Sequence, residues 1–266
     1  MWRSAAVEGE ADAMQGGTAM TTHDTLTIAG FPVRATTADM LAAELLAALQ
    51  QGGRRTLFFA NTNFIVKCRP WLDRMREPDV IVANDGIGLE LAARLMHGQR
   101  FPDNLNGTDF TPYLFSRAPH PLRVFLIGGT PQALVGAEEH VRNRLGQQVV
   151  GICDGYAGMQ DPALVERINA AQPDVVLVAL GNPLQEQWIL AHRDHLQAGL
   201  VAGVGALFDF WAGNKPRAPK LVRRLRMEWL YRLALEPRRL LRRYTVDIFV
   251  FFMLCHRYRS LPGERA

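Results

Sequence analysis

Short apolar runs rich in Val, Ile, Leu and Phe recur along the chain, separated by longer stretches in which apolar positions return every three or four residues. The runs at 56–60, 79–83, 124–127, 149–153, 173–180 and 200–204 read as strands, because they are too short for helices and are bounded by Gly, Pro, Asn or Asp. Most are apolar at consecutive positions, so both faces of the sheet they form must be covered. The stretches at 39–50, 89–96, 132–145 and 161–171 have helical spacing; Thr36 or Thr37 caps the first, and Gly52-Gly53 closes it. Two short segments around Gly30, at 25–28 and 32–34, predict a β-hairpin. This alternation predicts an α/β fold, a mostly parallel sheet with helices on both faces.

Polar side chains collect where the strands stop. The run at 79–83 ends in Asn84-Asp85-Gly86-Ile87-Gly88, and a helical pattern through Leu89, Leu91, Ala92, Leu95 and Met96 follows. Asp85 therefore falls in a strand-to-helix turn at a carboxyl edge, where open α/β sheets place their ligands. It either carries the chemistry or caps the helix, a common role for Asp. Strand 56–60 runs straight into Asn61-Thr62-Asn63, whose amides could meet Asp85 across the sheet edge or cap a helix themselves. The segment with Asn104, Asn106, Gly107 and Asp109 is too polar for a core element and reads as a loop ending at a helix N-cap. Gly128-Gly129, between a strand and a helix, could present backbone N–H groups to a phosphate. It lacks the full dinucleotide fingerprint, and a plain tight turn is the alternative. Gly181 and Gln185 follow the clearest buried strand, and Asp209 follows the last one. These clusters could converge on one crevice.

Composition narrows the setting. The 266 residues suffice for one α/β domain with an appendage. Cys68, Cys153 and Cys255 lie far apart without paired spacing, which argues against disulfides or a thiolate metal site and for a reducing, cytoplasmic setting. The formal charge of +4 conceals an asymmetry: residues 215–243 carry eleven Lys or Arg against Glu228 and Glu236, a net +9, whereas residues 1–214 carry a net −6. A local basic block implies an anionic partner. From Arg217 on, Arg mixes with Leu, Trp and Tyr in amphipathic helical patterns that suit an anionic membrane surface, with 249–254 adding apolar depth. A solvated face against another protein is the alternative, and the apolar run disfavours nucleic acid. The longest apolar run, 248–255, has eight residues, far short of the roughly 20 that span a bilayer. Residues 1–20 lack an apolar signal core, so 1–24 is expected to be a disordered extension, with Met14 or Met20 as alternative starts. The expected organisation is 1–24 extension, 25–214 catalytic domain and 215–266 basic helical appendage. Burying part of that appendage between subunits would keep a soluble form from aggregating, which allows a homo-oligomer.

The ordered motifs resemble one family. Asn-Asp-Gly-Ile-Gly at 84–88, Asn-Gly-Thr-Asp at 106–109, Gly-Gly at 128–129, Gly-Asn-Pro-Leu-Gln-Glu at 181–186 and Phe-Asp-Phe-Trp-Ala-Gly at 208–213 occur in order. With Arg217-Ala218-Pro219, 228–233 and Glu236-Pro237-Arg238-Arg239, they make the chain similar to the WecG/TagA/CpsF family of bacterial glycosyltransferases from about 26 to 244. The resemblance implies a Rossmann-like enzyme that moves a sugar, with inversion and without a cofactor or required metal, from a UDP-sugar to a sugar on a polyprenyl diphosphate. The setting it implies is exopolysaccharide or other cell-surface polysaccharide synthesis, on the inner face of the cytoplasmic membrane. It maps the general base to Asp85 and further catalytic roles to Asn63 and Gln185. Donor and acceptor contacts fall on Asn61, Asn84, Gly86, Asn104, Asn106, Gly107, Asp109, Gly128, Gly129, Gly181 and Asp209. Contacts to the lipid diphosphate fall on arginines of the appendage, Arg217, Arg232, Arg238 and Arg239. Many members have Thr at position 61 and Arg at position 104; without that Arg the donor diphosphate must be neutralised in another way, which suggests a sub-branch with a different donor sugar, and N-acetylmannosamine is not carried over. A rival class is a nucleotide-binding or scaffold protein held to the membrane by its basic tail, and Asp85 discriminates between the two.

Overall fold

The computed structural model describes residues 25–219, 222 and 228–259; the expected extension at 1–24 lies outside them. Eight strands, β1 (Thr25–Ile28), β2 (Phe31–Arg34), β3 (Arg55–Ala60), β4 (Val80–Asn84), β5 (Arg123–Gly128), β6 (Gln148–Cys153), β7 (Val175–Ala179) and β8 (Leu200–Gly203), form one sheet. Their order is β1-β2-β4-β3-β8-β7-β5-β6. Only β1 and β2 pair antiparallel, and β2 continues the sheet by pairing parallel to β4. The remaining pairs are parallel, so the carboxyl ends of β3, β4, β5, β6, β7 and β8 share one edge. The chain leaves β5 for the edge strand β6 but leaves β7 in the opposite direction for β8. The neighbouring ends of β5 and β7 are thus a topological switch point, where such sheets bind ligands.

Consecutive apolar residues in each strand divide between two cores, because successive side chains point to opposite faces. Leu57, Phe59, Ile81, Ala83, Val124, Leu126 and Leu177 face one layer, with residues of α1 (Ala38–Gln50), α4 (Gly107–Arg117), α5 (Pro131–Asn143) and α8 (Leu207–Trp211). Phe58, Val82, Phe125, Ile127, Val176 and Val178 face the other, with α2 (Thr62–Lys67), α3 (Ile87–His97), α6 (Leu164–Ala170) and α7 (Leu184–His192). Each fully buried Leu, Val or Phe contributes about 1.5–3 kcal/mol. The helical expectation at 161–171 shortens to α6, preceded by a single 3-10 turn at Ala157–Gln160.

The C-terminal segment comes back to the second layer. It forms α9 (Glu228–Leu235) and α10 (Pro237–Arg259), and α10 packs against α2 and α3. Phe251, Leu254 and Cys255 are buried in the same cluster as Phe64 and Ile65, while Phe249 and Met253 face outward. The apolar run at 248–255 is thereby split, one side serving the protein core. Arg69 fastens the end of the helix by donating to the Tyr258 hydroxyl at 2.8 Å. Among the described residues no helix is long and apolar enough to cross a membrane.

α3 departs from the periodicity reading. Leu89, Ala92 and Ala93 are buried together with Glu90, whereas Leu91 and Leu95 are exposed. Glu90 is held inward because one carboxylate oxygen pairs with Arg94 at 3.0 Å and the other accepts from the Phe101 N–H at 3.3 Å.

Candidate active site

Asp85 sits one residue beyond β4, and its N–H donates to the Ala60 carbonyl at 2.7 Å, which extends the β3–β4 ladder up to the site. The chain then turns at Gly86, whose φ of +94° is one that glycine adopts without strain. Gly86 itself occupies the N-cap position of α3. Asn61 donates from Nδ2 to Asp85 Oδ2 at 3.3 Å. The same amide caps α2, its Oδ1 accepting from the Phe64 N–H at 3.1 Å. The two roles weighed for Asn61 coexist, and the cap bond fixes which end of the amide faces the carboxylate. Asn61→Ala should therefore cost about 1 kcal/mol of stability through the lost cap, measured by chemical unfolding; an unchanged midpoint would show that the cap carries no load.

Asn63, in the first turn of α2, is buried. Asn84 is turned into the protein, where Nδ2 donates to the Asp103 carbonyl at 2.9 Å and its own carbonyl accepts from Leu105 N–H at 3.0 Å. It holds the loop that carries Asn104, whose Oδ1 accepts from the Gly86 N–H at 2.6 Å. Asn106 caps α4 by accepting from the Asp109 N–H, and donates back to Asp109 Oδ2, both at 3.0 Å. Gly107 lets this helix start against β3, since a Cβ there would lie 2.9 Å from the Phe59 ring. The other Asp109 oxygen accepts from Arg217 Nη1 at 2.7 Å, which brings the first appendage arginine to the site edge. Nε and Nη2 of Arg217 are buried and have no partner among the described residues.

The glycine turn offers less to an anion than its sequence suggests. A Cβ on Gly128 would stand 2.5 Å from the Ala179 carbonyl oxygen, so glycine serves close strand approach there. The Gly129 N–H already donates to that carbonyl at 3.2 Å. Thr130 caps α5 by accepting from Ala133, and Pro131 has no N–H. The N–H of Gly129, expected as a phosphate donor, is thus committed to holding β5 and β7 together.

After β7, the Gly181 carbonyl accepts from the Gln185 N–H at 3.0 Å. The buried Gln185 side chain bridges two strand ends, its Oε1 accepting from the Gly205 N–H at 2.9 Å and its Nε2 donating to Glu186 Oε1 at 2.7 Å. Asn182 donates to the same Glu186 oxygen. Glu186 is fully buried, and burial pushes its carboxyl up to about 7 against the hydrogen bonds it receives from Gln185, Cys68 and Asn182. The buried Cys68 thiol beside it is raised as well, first by burial and then by the Glu186 charge. The sequence expectation rests on Gln185 and not on its neighbour Glu186; the signal for Glu186 is a carboxylate in the first turn of the helix that follows the most apolar strand. Asp209 pairs with Lys215 at 3.2 Å and its carbonyl accepts from the Asn214 and Lys215 N–H groups, which ties the linker to α8. Arg238 is exposed at the start of α10, while the side chains of Arg232 and Arg239 lie outside the described residues. No cluster of three or more His, Cys, Asp or Glu able to hold a metal ion occurs among the described residues.

The profile of the "Glycosyl transferase WecG/TagA/CpsF family" matches residues 26–265. Among curated proteins, the chain is similar to N-acetylglucosaminyldiphosphoundecaprenol N-acetyl-beta-D-mannosaminyltransferases of Staphylococcus aureus strains NCTC 8325, COL and MSSA476. Each is 30% identical over 210 residues, covering 73% of this chain and 82% of the relative.

Proposed function

The chain belongs to the WecG/TagA/CpsF family of glycosyltransferases, and from that premise we propose that it transfers a sugar, with inversion, from a UDP-sugar to a sugar carried on a polyprenyl diphosphate. The reading places it in cell-surface polysaccharide synthesis, peripheral on the inner face of the cytoplasmic membrane. The observation that carries it is the carboxylate of Asp85, presented beyond β4 at the sheet's carboxyl edge and oriented by Asn61.

In a single in-line displacement, Asp85 takes the proton of the acceptor hydroxyl as that oxygen attacks the anomeric carbon, and UDP leaves from the opposite face. Charge developing on the leaving diphosphate must meet preorganised donors. Arg217, held at the site edge by Asp109 at 2.7 Å, is the first appendage cation placed to meet a diphosphate. Arg232, Arg238 and Arg239 would add charge from α9 and α10. Asn104 commits its oxygen to Gly86 and supplies no cation, so the donor named for the Staphylococcus relatives is not carried over.

Purified protein, a panel of UDP-sugars and a prenyl-diphosphate-linked sugar test the proposal. UDP should be released with one or a few donors, and only when the acceptor is present. Binding of UDP without release from any donor would instead support the scaffold reading.

A further inference from the structure

α3 exposes Ile87, Leu91 and Leu95 at 47%, 45% and 57% of their surface. These residues recur every fourth position, so they form one stripe about 12 Å long on a helix whose opposite side is already in the core. Isolated exposed leucines need no explanation, but an aligned set does. The helix begins two residues after Asp85, so the stripe starts at the site.

We infer that α3 is a docking face for an anionic lipid surface, entered by Ile87, Leu91 and Leu95. The inference rests on the proposed reaction only in that a lipid-linked acceptor must be met at the membrane. Two observations select lipid. Arg100 is exposed just past the end of the stripe, and the one acid of α3, Glu90, is buried and neutralised by Arg94, so the helix offers lipid no net negative charge. Interfacial helices combine an apolar stripe and flanking cations in this way. α10 packs against α3 and exposes Val246, Phe249 and Met253 at helical spacing, a second apolar row in the same layer of the fold. Docking through α3 as well as the appendage would set Asp85 at the height of a diphosphate anchored in the headgroup region.

Co-sedimentation of the full chain with vesicles of phosphatidylethanolamine and phosphatidylglycerol tests this. Leu91→Gln with Leu95→Gln should weaken vesicle partition about tenfold, the loss expected for two half-buried leucines, while circular dichroism stays unchanged because both positions are on the surface. The native cysteines are buried, so a Leu95→Cys thiol can be labelled with an environment-sensitive dye. Its emission should shift to the blue on these vesicles and much less on phosphatidylcholine alone. Unchanged partition of the double variant, or a dye that senses no vesicle, would overturn the inference, as would a wild-type dimer that the double variant dissociates. Vesicle binding is read without turnover, so a failure to release UDP would overturn the transferase reading and leave this one to be decided by the vesicles.

Discussion

Asp85→Asn is expected to lower kcat by about 10² to 10⁴-fold, the usual contribution of a general base, while leaving UDP-sugar binding nearly unchanged. The substitution is close to isosteric, and its amide oxygen can still accept from Asn61 Nδ2, as Asp85 Oδ2 does at 3.3 Å. The backbone bond from residue 85 to Ala60 and the turn at Gly86 involve no side chain of residue 85, so the β4–α3 geometry should persist. What disappears is the capacity to hold a proton taken from the acceptor. Steady-state kinetics with UDP release, together with calorimetric titration of UDP, separate the two effects. Wild-type turnover in this variant would remove Asp85 from the mechanism; loss of UDP binding in parallel would make it a binding residue instead.

The second large effect concerns stability. Burial raises the Glu186 carboxyl from an ordinary 4.5 to about 7 in the folded chain. Between those values the folded state keeps a proton that the unfolded chain has released. The stabilisation tied to that proton is fully present below about pH 4.5 and is lost as the pH rises through 7, a change of about 3 kcal/mol. Glu186→Gln keeps an oxygen for Asn182 and Gln185 to donate to but cannot titrate. Its stability should therefore fall less between pH 5 and pH 8 than that of the wild type, by about 2 kcal/mol, since part of the change is already complete at pH 5, whatever constant offset the new NH2 group introduces. Denaturant unfolding across this range is the measurement, and parallel curves for the two proteins would show that Glu186 does not change protonation there.

Much of the frame was legible because it rests on local rules. Apolar runs such as 173–180 have no stable place except a strand covered on both faces, and the mostly parallel sheet with two helical layers follows. The turn at Asp85-Gly86 was equally readable, since a strand end, a carboxylate and a glycine are neighbours in the chain. Other features needed contacts between distant residues. Arg217 meets Asp109 across a separation of 108 residues. Asn61 was read as cap or partner, and only the approach of β3 to β4 allows one amide to be both.

By itself, then, the sequence determined the alternation of strands and helices, the edge at which polar turns gather, the basic C-terminal block and, through its ordered motifs, the family. Periodicity and turn chemistry act over a few residues, so they can be read without coordinates. Only the tertiary structure decided which apolar residues are inside. Leu91 and Leu95 have core character but face outward, because α3 packs on the sheet through Leu89, Ala92 and Ala93. Phe251 sits in a run suited to lipid but is buried against α2 and α3. Glu186 has the polarity of a surface residue and lies wholly inside, where removal from water raises its affinity for a proton. Burial depends on what the rest of the chain places nearby, and that is set by packing over the whole sheet.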